Sequence, residues 1–305
     1  MIPPVIELSP DLPSLGPAAH RKRAVVLAHL RRAAGERGKV GVAFSGGVDS
    51  TLLLALCVEA LGPARTVAIT ARSASLAVDE WEACQGLALR LGVELVALET
   101  QELEREAYRQ NGPDRCYHCK QELFERVDAE VYAQQGLVAV AYGATADDLG
   151  DHRPGMQAAR EHAILAPLAD AGLSKLEIRA LSQALGLPTW DKPAQPCLAS
   201  RVPYGEQVTL DKLQRIDAAE ALLRRLGVRE GRVRHHETGG AALARVEVPL
   251  GDLPRVVDAR AELVRGLKQL GFSYVVLDLE GFRSGRQNEV LREQRVLPTV
   301  QGLRS

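Results

Sequence analysis

Residues 44–51, FSGGVDST, set two glycines, three hydroxyls and one carboxylate between the apolar run ending at Phe44 and a leucine-rich segment beginning at Leu52. A glycine-rich turn that carries a strand into a helix presents free backbone N–H groups and the positive end of the helix dipole, which together make an anion site. Gly46 and Gly47 can take positive φ and let the chain approach an oxygen closely, while Ser45, Ser50 and Thr51 add donors. Asp49, at the helix start, could help hold a magnesium ion that bridges phosphates. Phosphate binding is the chemistry indicated, yet the G-x-x-x-x-G-K-[ST] loop would need a lysine that is not here, and G-x-G-x-x-G is absent too.

The second group able to do chemistry is sulfur. Five cysteines, an odd number, disfavour a disulfide framework in a chain with no secretion signal and favour metal or catalytic use. Cys57 and Cys84 fall in apolar helical patterns and read as small hydrophobes. Cys116 and Cys119 form a C-x-x-C in RCYHCK ahead of a helix, and Cys197 stands in PCLASRVPYG. By themselves they admit half a zinc site, a redox couple or part of an iron–sulfur site. There is no second C-x-x-C, although three thiolates with His118 or His152 could hold zinc. Cys197 beside Arg201 also fits a reactive thiolate, since a nearby cation lowers a thiol's pKa.

The elements that must position these groups alternate: helix 19–35, strand 40–44, helix 49–61, strand 65–70, helix 76–91 and strand 94–98. That order indicates an α/β fold built on a doubly wound parallel sheet. A helical stretch at 117–134, a strand at 136–143 and a short strand at 164–168 follow. Ser174 with Glu177 forms a capping box for the next helix. After about residue 200 come helix 210–226, strands 231–236 and 243–248, helix 253–269 and strand 272–278, a smaller α+β domain. The expected domains are 1–200 and 201–305.

With 46% hydrophobic residues, 25% charged and a formal net charge of −1, the 305-residue chain reads as globular. A near-neutral balance argues against nucleic acid as the main partner. No apolar run is long enough to span a membrane, and the expected location is cytoplasmic. Trp81 and Trp190 read as packing residues.

SGGVDS, with its strand before and helix after, resembles the pyrophosphate loop of the PP-loop ATP pyrophosphatase superfamily, whose members adenylate an oxygen, release pyrophosphate and let nitrogen or sulfur displace AMP. The resemblance implies that Ser45, Gly46, Gly47, Asp49 and Ser50 cradle the pyrophosphate end of ATP, that Ile69–Arg72, with Thr70, lies by the adenine, and that Gly143 belongs to the nucleotide pocket. RCYHCK, ATADDLGDHRPG, PCLASRVPYG, RVRHH, ARVEV and GFRSG together resemble the LarE family over nearly the whole chain. Those sulfur transferases build the nickel-pincer nucleotide of lactate racemase from a pyridinium-3,5-dicarboxylate mononucleotide, turning each adenylated carboxylate into a thiocarboxylate.

In that family Cys197 matches the sulfur-bearing cysteine. In one subgroup it gives up its own sulfur, and in another it joins two further cysteines, matched here by Cys116 and Cys119, in holding a [4Fe-4S] cluster. This chain has all three, which implies ATP, Mg2+ and a [4Fe-4S] cluster as cofactors. Adenylation brings two anions together, so cations must screen them; Lys120 and Arg201 are placed for that. Arg232 and Arg234 alternate along a strand and share a face suited to the substrate's phosphate. Glu220 and Glu247 match acidic family positions and are candidates for a divalent cation. Asp147, Asp148 and Asp151 stand behind these as lining residues. A homo-oligomer is also implied, with a hexamer among the options; the sulfide donor is left open. Rival readings are a PP-loop transfer-RNA thiolase, an ammonia-using amide synthetase, which leaves the cysteines idle, and a nucleotide-responsive binding protein without turnover.

Overall fold

A computed structural model describes Ile6, residues 16–148 and residues 154–283. The chain divides into two compact units, Met1–Cys197 and Leu198–Ser305.

In the first unit, β1 (Lys39–Ala43), β2 (Thr66–Arg72), β3 (Glu94–Glu99) and β4 (Leu137–Tyr142) form one parallel sheet in the order β3-β2-β1-β4. β1 is thus central, with the chain winding first to one side through β2 and then to the other through β4. Ligands bind at such a switch point, because the loops leaving the two adjacent strands diverge there and open a crevice. The loop after β1 is SGGVDS, and the residue after β4 is Gly143. Two apolar cores cover the sheet's faces. One gathers Val26, Leu30, Leu52–Leu56 and Leu181; the other gathers Phe124, Val127, Val140 and Ala158. The helix Val48–Leu61 is apolar nearly all round because it lies between the sheet and the helices Pro17–Ala34 and Lys175–Ala184.

The expected strand at 164–168 is reduced to a single bridge, Ala141 to Leu165. Pro167 lacks the N–H a ladder requires and instead opens the short helix Pro167–Asp170. The capping box forms as expected, with the Ser174 side chain accepting from the Glu177 N–H.

The second unit carries β5 (Arg232–Thr238), β6 (Ala241–Glu247) and β7 (Tyr274–Leu277) in that order, β5 antiparallel to β6 and β6 parallel to β7. Helices Leu210–Arg225 and Arg260–Gln269 close its own core around Leu223, Val233, Val246, Leu267 and Phe272. The helix expected over 253–269 is two segments, Leu253–Asp258 and Arg260–Gln269.

Candidate active site

Gly46 takes φ +66°, and a Cβ there would stand 3.0 Å from the Cys84 sulfur. Gly47 caps the helix Val48–Leu61 without any side-chain bond, so the first N–H groups of that helix remain open to a ligand. The two serines brace the turn: Ser50 Oγ accepts from the Ser45 N–H at 3.2 Å and donates to the Gly47 carbonyl at 3.3 Å. Gly143 is where β4 meets this helix, for a Cβ there would lie 2.9 Å from Ser50 N. Thr70 is buried, and its hydroxyl donates to the Phe44 carbonyl at 2.8 Å. That bond ties the end of β2 to the loop and occupies the hydroxyl expected near adenine.

Two lysines that the sequence reading passed over stand at the same loop. Lys175 Nζ lies 2.6 Å from Asp49 Oδ1. Lys192 Nζ donates to the Gly46 carbonyl at 3.1 Å and to Glu80 at 2.7 Å. A loop with no lysine of its own thus has two lysines from elsewhere in the chain against it. The signal for Lys175 was its position at the start of a capped helix; Lys192 sits in a Pro-rich segment and gave none. Of the loop aspartates, Asp147 accepts from the Lys175 N–H at 2.6 Å and Asp148 from the Thr145 N–H at 2.8 Å, so both shape the turn. Asp151 and His152 lie outside the described residues.

Cys57 and Cys84 are buried, and burial pushes both thiols up to about 11, as befits small core hydrophobes. The remaining three differ. Cys116 occupies the first turn of the helix Arg115–Arg126 with Cys119 one turn on, and Cys116 and Cys197 are exposed. Burial pushes the Cys119 thiol up, and the neighbouring Cys197, Glu102 and Cys116 push the same way against Lys120. Lys120 lies over the Tyr142 ring at 5.0 Å and is packed where Gly155 meets its stem.

Among the described residues no three His, Cys, Asp or Glu side chains surround one point as the ligands of a single metal ion would. His118 is instead paired with Asp114 at 3.0 Å. A [4Fe-4S] cluster makes a different demand, since each cysteine binds its own iron and the sulfurs stand apart. Cys116, Cys119 and Cys197 are the three thiols such a cluster would draw on, two of them reaching the surface.

In the second unit, Arg201 is buried and clasps Glu220 through two bonds, 2.8 and 2.9 Å; Glu220 also accepts from the Val233 N–H at 3.1 Å. Arg234 donates twice to Glu247, at 3.0 and 2.9 Å, and to the Ser200 carbonyl at 2.8 Å. Arg245 reaches Glu247 at 2.9 Å from its other side. Glu220 and Glu247, expected at a divalent cation, are thus each paired with guanidiniums, and Arg201, expected to screen the adenylation step, is engaged with Glu220. Arg232 keeps the expected alternation with Arg234 and lies over the Phe282 ring at 5.0 Å. Burial, with Arg201 and Arg234 beside it, pulls the Arg232 guanidinium down to about 10, so it is still a cation at neutral pH.

A parallel sheet whose central strand runs into SGGVDS at the switch point, with open helix N–H groups and two lysines on that loop, defines a PP-loop domain of the ATP pyrophosphatase type. The profile of the NAD synthase family matches residues 24–135, which carry β1 to β3 and the SGGVDS loop. An uncharacterized protein of Synechocystis is 46% identical over 267 residues, 87% of this chain and 97% of its own. The pyridinium-3,5-bisthiocarboxylic acid mononucleotide synthase of Lactiplantibacillus plantarum is 36% identical over 275 residues, 90% of this chain and 96% of its own. An uncharacterized protein of Methanocaldococcus jannaschii is 28% identical over 246 residues, 81% of this chain and 91% of its own. The chain belongs to the family of the L. plantarum synthase, the LarE family that its motifs resemble.

Proposed function

We propose that this chain is an ATP-dependent sulfur transferase acting on a pyridinium-3,5-dicarboxylate mononucleotide, converting its carboxylates to thiocarboxylates. One observation carries the reading. The segment bearing Cys197 is tied at Lys192 to the Gly46 carbonyl of the phosphate loop, which joins the sulfur-bearing strand of chain to the place where ATP is cleaved. An amide synthetase would give that linkage no purpose.

In the first step a substrate carboxylate oxygen attacks the α-phosphorus of ATP and pyrophosphate leaves, giving an acyl adenylate. The open N–H groups after Gly47 hold the departing pyrophosphate, while Lys175 offers charge to its oxygens and Asp49 a ligand for the accompanying Mg2+. In the second step sulfur attacks the acyl carbon and AMP leaves with the bonding electrons. Cys116, Cys119 and Cys197 would hold a [4Fe-4S] cluster, which would supply sulfur at the sulfide level. Lys120, beside the thiols, offers a cation to the adenylate's phosphate. Arg232 is assigned the substrate's own phosphate; as a desolvated cation flanked by Arg201 and Arg234, it gains from an added anion.

The chain is proposed to work as a homo-oligomer in the cytoplasm with a sulfide donor of its own. No helix among the described residues is long and apolar enough to cross a membrane. The decisive experiment prepares the protein without oxygen, reconstitutes it with iron and sulfide, and follows ATP-dependent sulfur incorporation into the mononucleotide by mass spectrometry beside the mass of the Cys197 peptide. Thiocarboxylate product with an intact Cys197 is expected. Dehydroalanine at position 197, or transfer with no cluster absorption, would overturn the cluster route; thiolated transfer RNA with no pyridinium product would overturn the substrate.

A further inference from the structure

The peptide that joins Gly46 to Gly47 lies between two glycines, so no neighbouring side chain holds it against reversal. Its orientation matters, because in a planar trans peptide the carbonyl and the N–H point opposite ways. Fixing the Gly46 carbonyl therefore aims the Gly47 N–H. Lys192 Nζ does the fixing, donating to that carbonyl at 3.1 Å. A lysine alone would hold it poorly, given its flexible four-carbon stem. Here the lysine is anchored at both ends. Its main-chain carbonyl accepts from Arg179 Nη2 at 2.9 Å, and the Trp190 carbonyl accepts from Arg179 Nη1 at 2.7 Å. Its ammonium meets Glu80 at 2.7 Å, with side-chain exposures of only 20% for the lysine and 21% for the glutamate. Glu80 stands in the first turn of the helix Val78–Arg90, four residues before Cys84, whose sulfur packs against Gly46. One face of that helix thus meets the turn twice, through Cys84 directly and through Glu80 by way of Lys192.

We propose that Glu80 is a positioning residue of the nucleotide site: it holds Lys192 on the Gly46 carbonyl and so keeps the Gly47 N–H turned to the phosphates of ATP. The inference rests on the ATP-binding reading above. An ion pair of this exposure contributes little to folding, and a carboxylate taken alone is an unfavourable neighbour for a polyphosphate. Glu80 therefore favours ATP only through the lysine. Without Glu80 the ammonium spends part of its time off the carbonyl, the peptide loses its preferred orientation, and binding must restore it. Without Lys192 the carboxylate is left as a bare negative charge beside an anion site.

The test measures binding of magnesium ATP to the full chain by titration calorimetry, with Glu80→Ala and Glu80→Gln each made in the wild-type and Lys192→Met backgrounds and checked for folding by circular dichroism. In the wild-type background Glu80→Ala should weaken ATP about fivefold, the most that a partly exposed ion pair contributes. Glu80→Gln keeps an acceptor for the ammonium and should weaken it less. In the Lys192→Met background the sign reverses: removing the carboxylate should strengthen binding, which a merely structural glutamate would not produce. Should Glu80→Ala fail to fold, the reversal is read from Glu80→Gln in the two backgrounds. ATP affinity at or above the wild-type value in a folded Glu80→Ala protein, or an equal loss in both backgrounds, would overturn the inference and leave the phosphate loop standing as the nucleotide site. A wild type that binds no ATP would overturn the nucleotide reading itself.

Discussion

An alanine at position 143 would test whether the switch point works as described. The added Cβ meets the Ser50 nitrogen at 2.9 Å and the Asp49 carbonyl carbon at 3.0 Å, both main-chain atoms in the first turn of the helix after the phosphate loop. Optimal carbon contacts lie near 3.5–4.0 Å, about half an ångström or more beyond this. Backbone cannot rotate aside as a flexible side chain would, so relief requires the helix start to retreat from β4. Overpacking of this kind costs about 1–3 kcal/mol. In the nucleotide-free protein the turn can relax and shed part of that strain. Bound ATP demands that the N–H groups return, so the cost falls on affinity. At about 1.4 kcal/mol per decade, Gly143→Ala should bind ATP roughly 5- to 150-fold more weakly. Gly136→Ala is the control. Gly136 ends the helix Tyr132–Gln135 at φ +64° with open space around it, so alanine there costs about 1–2 kcal/mol of stability through backbone strain alone. Titration calorimetry with ATP and a thermal melt on each variant separate the two effects. Wild-type ATP affinity in Gly143→Ala would refute the idea that β4 and the phosphate loop are in register for nucleotide.

Glu220→Gln leaves the buried Arg201 guanidinium without its charge partner, and a loss of about 3–5 kcal/mol is expected from denaturant unfolding. His235 is held down to about 4 by burial first and then by Lys212 and Arg215, against an ordinary value of 6.5. The unfolded imidazole therefore takes its proton before the folded one does. Stability is intact above about pH 6.5 and should fall as pH drops from there toward 4; His235→Gln should flatten that part of the curve measured by urea midpoints. Iodoacetamide on the native, metal-free protein near pH 8 should label the exposed Cys116 and Cys197 and spare Cys57 and Cys84 until urea is added, as peptide masses would record. Lys192→Met should raise the KM for ATP more than it lowers kcat, since its bond to Gly46 shapes the phosphate loop. An unchanged KM would detach that lysine from nucleotide binding.

Local rules determined most of what the sequence disclosed. A glycine-rich turn between an apolar strand and an apolar helix is an anion site wherever it occurs, because its free N–H groups are a property of the backbone. The capping box at Ser174 and the burial of Cys57 and Cys84 follow from periodicity and short-range hydrogen bonding in the same way. Only the tertiary structure decided which charges remain available. Arg201, Glu220, Arg234 and Glu247 have the composition of a substrate or cation site, yet they neutralise in pairs, 19 and 13 residues apart in the chain, that are set by the packing of a helix and a sheet. The same physics hid Lys175 and Lys192, brought to the phosphate loop from 126 and 146 residues away. Spacing along a chain specifies elements, whereas the pairing of charges depends on distance in space, and distance is settled only when the elements have packed.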